Sequence, residues 1–349
     1  MAVDLFCGCG GLTQGLKKAG FRVIASLDID PLSVATYKLN HPEITVLETD
    51  IRKVKIKDFM KKLGLRKNQL DLLAGCPPCQ GFSSIRTLNG GRIVDDSRNN
   101  LLLAFHRFVI ALKPKTIMIE NVPGLTADKS FKFFCNSLKK NGYKVDFKIL
   151  DAAVYGVPQR RRRLILLASK KALIEFANPV KVKRTVRDAI GSLPRPTSKQ
   201  NQLHGISLKR SVKIRELIKK IPKDGGSRTD LPEKDQLKCH KKCNGFKDVY
   251  GRMSWNQVAP TITGGCINPS KGRFLHPTQN RSITLREAAL LQSFPSRYRF
   301  SMKNGRYPVA QMIGNALPPE FIRRHASMIY GHLNKPDEHK TRSGVPVGV

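Results

Sequence analysis

Acidic residues are scarce in this 349-residue sequence: 26 Asp and Glu stand against 63 Lys and Arg, a formal net charge of +37. A surface so basic repels itself and attracts phosphate, so the imbalance points to a polyanionic partner. No apolar run reaches about 18 residues, which excludes a membrane-spanning helix. No charged-then-apolar leader is visible, so no secretory signal is expected. Eight cysteines are too few for a disulfide scaffold, and a reducing, cytoplasmic compartment is expected. Internal repeats are absent. What is present is enough apolar sequence for a core. Hydrophobic residues make up 40%, which excludes wholesale disorder.

The charge is uneven. Residues 1–50 carry four basic residues (Lys17, Lys18, Arg22, Lys38) and six acidic ones, a net of −2. Residues 160–250 carry 25 basic and eight acidic ones, a net of +17. A solvated face explains any single lysine run but not this asymmetry. The first segment is expected to bind something small, and the middle the polyanion.

Short apolar runs alternate with helical patterns through the first half. Strands are predicted at 2–6, 22–27, 44–47, 70–74 and 115–120. Helices are predicted at about 12–19, capped by Gly20, from Pro31, at 99–112 and at 128–140. This alternation predicts an α/β fold with a doubly wound, mostly parallel sheet. Residues 144–151 and 163–169 lie too close for a helical crossover and predict an antiparallel edge pair. The pattern weakens after about 185. Residues 191–280 are rich in Pro, Gly, Ser and Lys, with one amphipathic helix at 209–220. Helix returns at 284–293 and again at about 307–332. The expected division is a catalytic and cofactor-binding domain (1–188 and 305–333), a smaller, irregular recognition domain with its hinge (189–304), and a disordered tail (334–349).

Residues 3–11 read VDLFCGCGG. A strand running into a Gly turn and a helix brings backbone N–H groups up to a ligand. Asp28 ends the second strand, where a carboxylate meets ribose hydroxyls. Thr13 stands where a third glycine of a dinucleotide fingerprint would fall, which favours a phosphate-free nucleoside. The acidic balance of this segment suits S-adenosylmethionine, a sulfonium cation. Residues 71–83 read DLLAGCPPCQGFS. A strand ends and a stiff Pro-Pro loop presents Cys79, a nucleophile candidate. Two rivals remain at this point. Cys76 and Cys79 have the spacing of a redox pair, or of half a zinc site completed by Cys239 and Cys243. For Cys7, Cys9, Cys135 and Cys266, packing is the expected role.

Six strings in order resemble the cytosine-5 DNA methyltransferases: VDLFCGCGG (3–11), GCPPCQGFS (75–83), ENVPGL (120–125), YGVPQRRRRLILLAS (155–169), RSITLREAALLQSFP (281–295) and GNALPPEF (314–321). The resemblance runs over nearly the whole chain. It implies an S-adenosylmethionine-dependent methyltransferase fold and methyl transfer to carbon 5 of a flipped-out cytosine in duplex DNA. It implies Cys79 as the nucleophile at carbon 6 and Glu120 as the acid at ring nitrogen 3. Arg161 and Arg163, alternating on a strand begun at 160, would face the cytosine and the catalytic loop or its phosphate. Arg160 and Arg162 would be solvated. Phe6, Gly8, Gly10, Asp28, Asp50, Ile51, Pro78, Leu101 and Asn315 would hold the cofactor. The family more often has Glu at Asp28 and an aromatic residue at Ile29. Residues 81–98 would form a lid, with Gln80, Ser83 and Arg98 at the DNA. Asn121 would hold the loop and also stand at the DNA. VAPTITGG (258–265) is similar to the family's recognition segment, which implicates Thr261 and Thr263. No metal is expected.

The resemblance also implies double-stranded DNA as partner, a companion restriction endonuclease, a monomer, and no membrane. The alternatives are a transfer-RNA cytosine-5 methyltransferase of the same fold and a catalytically idle DNA-binding protein. The first has a Cys-Phe-Thr signature that this sequence lacks. The second would have lost Cys79, Glu120 or the arginines, and all are present.

Overall fold

The computed structural model describes residues 1–78, 100–196, 202–205, 210–237 and 247–336. Seven strands form one sheet: β1 (Ala2–Leu5), β2 (Val23–Asp28), β3 (Thr45–Glu48), β4 (Leu72–Gly75), β5 (Thr116–Asn121), β6 (Lys144–Asp151) and β7 (Arg162–Ser169). Their spatial order is β3-β2-β1-β4-β5-β7-β6. The first five pair in parallel, and β7 runs antiparallel to both neighbours. The fold is therefore the expected α/β, mostly parallel type, with the antiparallel pair at one edge. The chain leaves β1 toward β3 and returns at β4, so the order reverses between β1 and β4. Sites of open α/β sheets form at the carboxyl end of such a reversal.

Helices α1 (Gly11–Lys18), α2 (Pro31–Asn40), α3 (Ile56–Lys62), α4 (Asn100–Leu112) and α5 (Lys129–Lys140) flank the sheet. Gly20 ends α1 in the left-handed region at φ +97°. Asp30 caps α2 through the Leu32 and Ser33 amides, with Pro31 at its first position. One apolar cluster, with Phe105, Phe108 and Phe134, covers one face of the sheet. The other face packs on α1 and on the last helix.

The second half holds α6 (Val186–Ile190), α7 (Val212–Lys220), α8 (Leu285–Leu291), α9 (Arg306–Asn315) and α10 (Pro319–Asn334). The single helix expected over 307–332 is two. Pro318 and Pro319 disfavour helix just before them, and α9 stops at Asn315. Their packing differs accordingly. Val309 and Ile313 of α9 join a third core with Val186, Ile262, Leu285 and Phe294. By contrast α10 lies on α1, so close that a Cβ on Gly15 would meet Ile322 Cβ at 2.5 Å. The boundary expected at 305 thus falls just before a helix that packs with the preceding segment. The α3 and α6 helices were not anticipated. The expected start of β7 at 160 also shifts: the Arg160 amide bonds to the Ala259 carbonyl, and the strand opens at Arg162. The expected lid (81–98) lies outside the described residues, as do Cys239, Cys243 and residues 337–349 of the expected tail.

Candidate active site

Three loops meet at the carboxyl edge of the sheet. The first follows β1. Phe6 (φ +65°), Gly8 (+51°) and Gly10 (+96°) bend it through the left-handed region. The Gly8 amide donates to Asp28 Oδ2 at 2.7 Å, and the Asp30 amide to Oδ1 at 2.9 Å. Asp28 is thus aimed by the backbone, and burial raises its carboxyl pKa against those two bonds. A Cβ on Gly8 would meet nothing within 4 Å, so the turn faces open space. Beside it Ile29 is 62% exposed, an apolar surface left bare next to a carboxylate. Cys9 Sγ lies 3.7 Å from the Met312 carbonyl, and a Cβ on Gly11 would sit 2.4 Å from the Leu317 carbonyl. These contacts bring Asn315, between those two residues, to the same turn. The structure therefore gathers Phe6, Gly8, Gly10, Asp28 and the Asn315 segment.

The remaining cofactor candidates are placed differently. Asp50 is bound by Arg52 at 2.6 Å, which holds its carboxyl pKa below the usual range. Ile51 is buried in the first core, so any contact from it falls to its backbone. Leu101 is partly buried against that core, and Pro78 is exposed.

The second loop follows β4 and leads to Cys79, which lies outside the described residues together with Gln80, Ser83 and Arg98. Asn121 supports its approach. It is buried, and its side-chain amide donates to the Pro77 carbonyl at 2.8 Å. That geometry holds the loop and turns the amide away from solvent, so the DNA contact expected of Asn121 has no exposed group to make it. Cys76 lies against Glu120. Burial first, then that carboxylate, raises its thiol pKa well above the ordinary value. A thiol so held is a poor thiolate.

The third loop follows β5. Glu120 is 6% exposed, and burial raises its pKa against the pull of Arg163 and Arg161. Arg163 Nε stands 2.8 Å from Glu120 Oε1. The two arginines do face the same side, but they do different things. Arg161 is buried and donates to the Ile262 carbonyl at 3.1 Å and the Gly314 carbonyl at 3.0 Å. It ties the sheet to the second half.

Gln159 makes the same junction and was missed by the sequence reading. It is fully buried, donates to Gln292 Oε1 at 2.7 Å and accepts from the Ile262 amide at 2.8 Å. Tyr298 and Asp4 were also missed. Tyr298 Oη donates to the Cys9 carbonyl at 2.6 Å and lies 3.2 Å from His41 Nε2. Asp4 is fully buried, takes the Thr13 hydroxyl at 2.7 Å, and is pushed up to about 8 by burial. The residues themselves were visible as an aromatic after Phe-Pro-Ser-Arg and an acid inside an apolar strand, but their partners were not.

Beside the junction an open cleft of about 480 Å³ is lined by Arg160, Lys247, Thr261, Thr263, Lys271 and Arg273, among others. Thr261 Oγ1 donates to the Arg160 carbonyl at 2.7 Å. Arg160, expected to be merely solvated, thus lines a basic cleft. Among the described residues no group of three or more His, Cys, Asp or Glu is placed to hold a metal.

Comparison with known proteins gives a consistent picture. Residues 1–331 match the family described as C-5 cytosine-specific DNA methylase. A type II methylase of Herpetosiphon aurantiacus is 38% identical over 330 residues, covering 90% of this chain and 91% of that protein. A type II methyltransferase of Haemophilus parahaemolyticus is 34% identical, with 91% and 83% covered. Among solved structures, a DNA modification methyltransferase encoded within an E. coli prophage superposes with a TM-score of 0.74 at 25% identity. It covers 96% of this chain and 99% of that one.

Proposed function

Because the chain belongs to the C-5 cytosine-specific DNA methylase family and is a DNA cytosine-5 methyltransferase, we propose that its methyl donor is S-adenosylmethionine, held by the turn after β1 and by Asp28. The observation that carries this reading is the open Gly8 turn, with an aimed carboxylate and a bare apolar residue beside it. When bound there, the donor supplies an electrophilic methyl group.

The chain's residues do the rest. Carbon 5 of cytosine is a poor nucleophile until a thiolate adds at carbon 6. Cys79 makes that bond, and the ring's electrons shift toward nitrogen 3. Glu120, whose burial favours the protonated form, donates its hydrogen there. Arg163 fixes the carboxyl's orientation. Arg161 positions the junction behind it. After methyl transfer, the carbon 5 proton passes to water, the thiolate leaves, and the nitrogen 3 proton returns to Glu120, which restores the aromatic ring and the acid. Asn121 holds the loop that carries Cys79. The basic cleft with Thr261 and Thr263 takes the DNA phosphates beside the flipped base, and Gln80, Ser83 and Arg98 close on the flanks. We assign 1–188 with 305–333 to catalysis and 189–304 to sequence recognition.

The enzyme acts as a monomer on double-stranded DNA in the cytoplasm. Its type II relatives support a companion restriction endonuclease. Incubation with plasmid DNA and labelled cofactor, followed by bisulfite sequencing, tests the reading. A consistent set of protected cytosines is expected, lost in Cys79→Ser and kept in Cys76→Ser. No protection by the native chain, or loss in Cys76→Ser with Cys79→Ser active, overturns it.

A further inference from the structure

We propose that the end of the sheet opposite the active site is a second, sequence-independent binding surface for duplex DNA. The family's DNA substrate motivates it, but the roles given to Cys79 and Glu120 do not enter. Five lysines converge there. Lys115 precedes β5, Lys144 opens β6, and Lys170 follows β7. They border adjacent positions, since Ser169 pairs with both Thr116 and Lys144. Lys170 Nζ donates to the Lys113 carbonyl at 3.3 Å and to Asn68 Oδ1 at 2.8 Å, which brings in Lys113 and Lys67. All five are exposed. Of the five only Lys115 has an acidic partner among the described residues, Asp71 at 2.7 Å.

Helix dipoles account for part of the positive charge of this protein. The α1, α3 and α5 helices each end on a lysine pair, as cations at a carboxyl terminus should. Lys67, Lys115, Lys144 and Lys170 sit on loops and strand ends, where that explanation does not reach. Nor does the catalytic cleft reach them. Glu120 lies five residues along β5 from Lys115, about 17 Å at strand rise. Three adjacent strands span about 10 Å, the rise of roughly three base pairs, so the array matches consecutive phosphates. Rigid like charges that repel one another are relieved when phosphates replace their counterions. Duplex DNA is the polyanion this chain meets as substrate, which selects it over an anionic lipid surface.

A bridging assay on the full chain tests this. A biotinylated duplex on beads is saturated with enzyme and then offered a fluorescent duplex. The native chain is expected to capture the second duplex at low salt. The Lys67→Gln/Lys113→Gln/Lys144→Gln/Lys170→Gln variant is expected to capture at least tenfold less, while methylating plasmid at the native rate. The salt slope of capture should fall by about 0.9 per neutralised contact. Lys67→Gln/Lys144→Gln, which breaks no side-chain bond among the described residues, should lower that slope by about 2. No capture by the native chain, or capture by both variants equal to that of the native chain, overturns the proposal. So does capture of phosphatidylserine vesicles without capture of duplex. Bridging without any methyl transfer would count against the catalytic assignment and leave this surface standing.

Discussion

The hydroxyl of Tyr298 donates to the carbonyl of Cys9 at 2.6 Å, joining residues 289 positions apart. Cys9 sits inside the turn assigned to the methyl donor. A Cβ on its neighbour Gly10 would lie 2.4 Å from the Tyr298 oxygen and 2.9 Å from His41 Nε2. The turn is therefore braced from behind by a residue of the recognition half. Tyr298→Phe removes the brace but keeps the ring. A hydrogen bond worth about 1 kcal/mol predicts roughly fivefold weaker donor binding by calorimetry, with kcat at saturation unchanged. Equal affinity in the variant would show that the bond only stabilises the fold.

Glu120 gives a kinetic prediction with a sign. Burial raises its pKa, so the proton that must reach ring nitrogen 3 is retained to higher pH than in an exposed glutamate. The acid's contribution to the rate is expected to be complete below that raised value and to fall as pH climbs through it, with protonation of the attacking thiolate giving a separate acidic limb. Glu120→Gln should lower kcat by about 10² to 10⁴, the usual span for a general acid, and remove the alkaline limb. A variant within tenfold of native would leave the carboxyl without a role in proton transfer.

Two neighbouring helices offer a matched pair of glycine tests. In α9, a Cβ on Gly314 would stand 2.2 Å from the Thr263 carbonyl carbon and the Gly264 nitrogen, both main chain. Gly314→Ala must push α9 away from the segment that Arg161 also grips, and overpacking of this kind costs about 1–3 kcal/mol. In α10, a Cβ on Gly331 would meet nothing within 4 Å. Gly331→Ala should stabilise by about 0.5–1 kcal/mol through helix propensity. Urea midpoints moving in opposite directions are the expected result.

Asp4 links stability to pH. Its folded pKa of about 8 lies above the ordinary 3.8, because burial penalises the charge more than Thr13 relieves it. The folded chain therefore holds a proton that the unfolded chain releases. The stability this contributes is complete below about 4 and is lost as pH rises to about 8. Asp4→Asn keeps the shape without the charge. Its melting temperature should exceed the native value at pH 8 and converge with it near pH 4. Parallel curves for the two proteins across that range would contradict the burial argument.

Local patterns were legible and distant pairings were not. Gly20 and Pro31 mark helix ends by their own backbone preferences, so α1 and α2 could be read directly. The apolar run before Glu120 announced a buried strand, and the Gly turn with Asp28 at the end of the second strand announced a ligand site. The break between α9 and α10 was also written in Pro318 and Pro319, yet apolar periodicity on both sides masked it. Tyr298 against Cys9 and Gln159 against Gln292 are pairings that no local pattern announces. Each joins segments that only the completed sheet brings together. Arg161 shows the same limit from the other side. Its position in a motif suggested a ligand contact, but not that its two terminal nitrogens hold main-chain carbonyls while Nε is left without a partner among the described residues.

The pairing of α1 with α10 has a consequence for synthesis. The apolar face of α1 emerges from the ribosome early, but the helix that covers it follows about 300 residues later, a very non-local contact. At roughly 5–20 residues per second, that face waits some tens of seconds for its partner. An apolar face left bare in this way is prone to aggregation during that interval. The donor turn, sited at the start of α1, gains its contacts with Tyr298, Met312 and Leu317 only when the chain is nearly complete, so truncated products lack that side of the cofactor pocket.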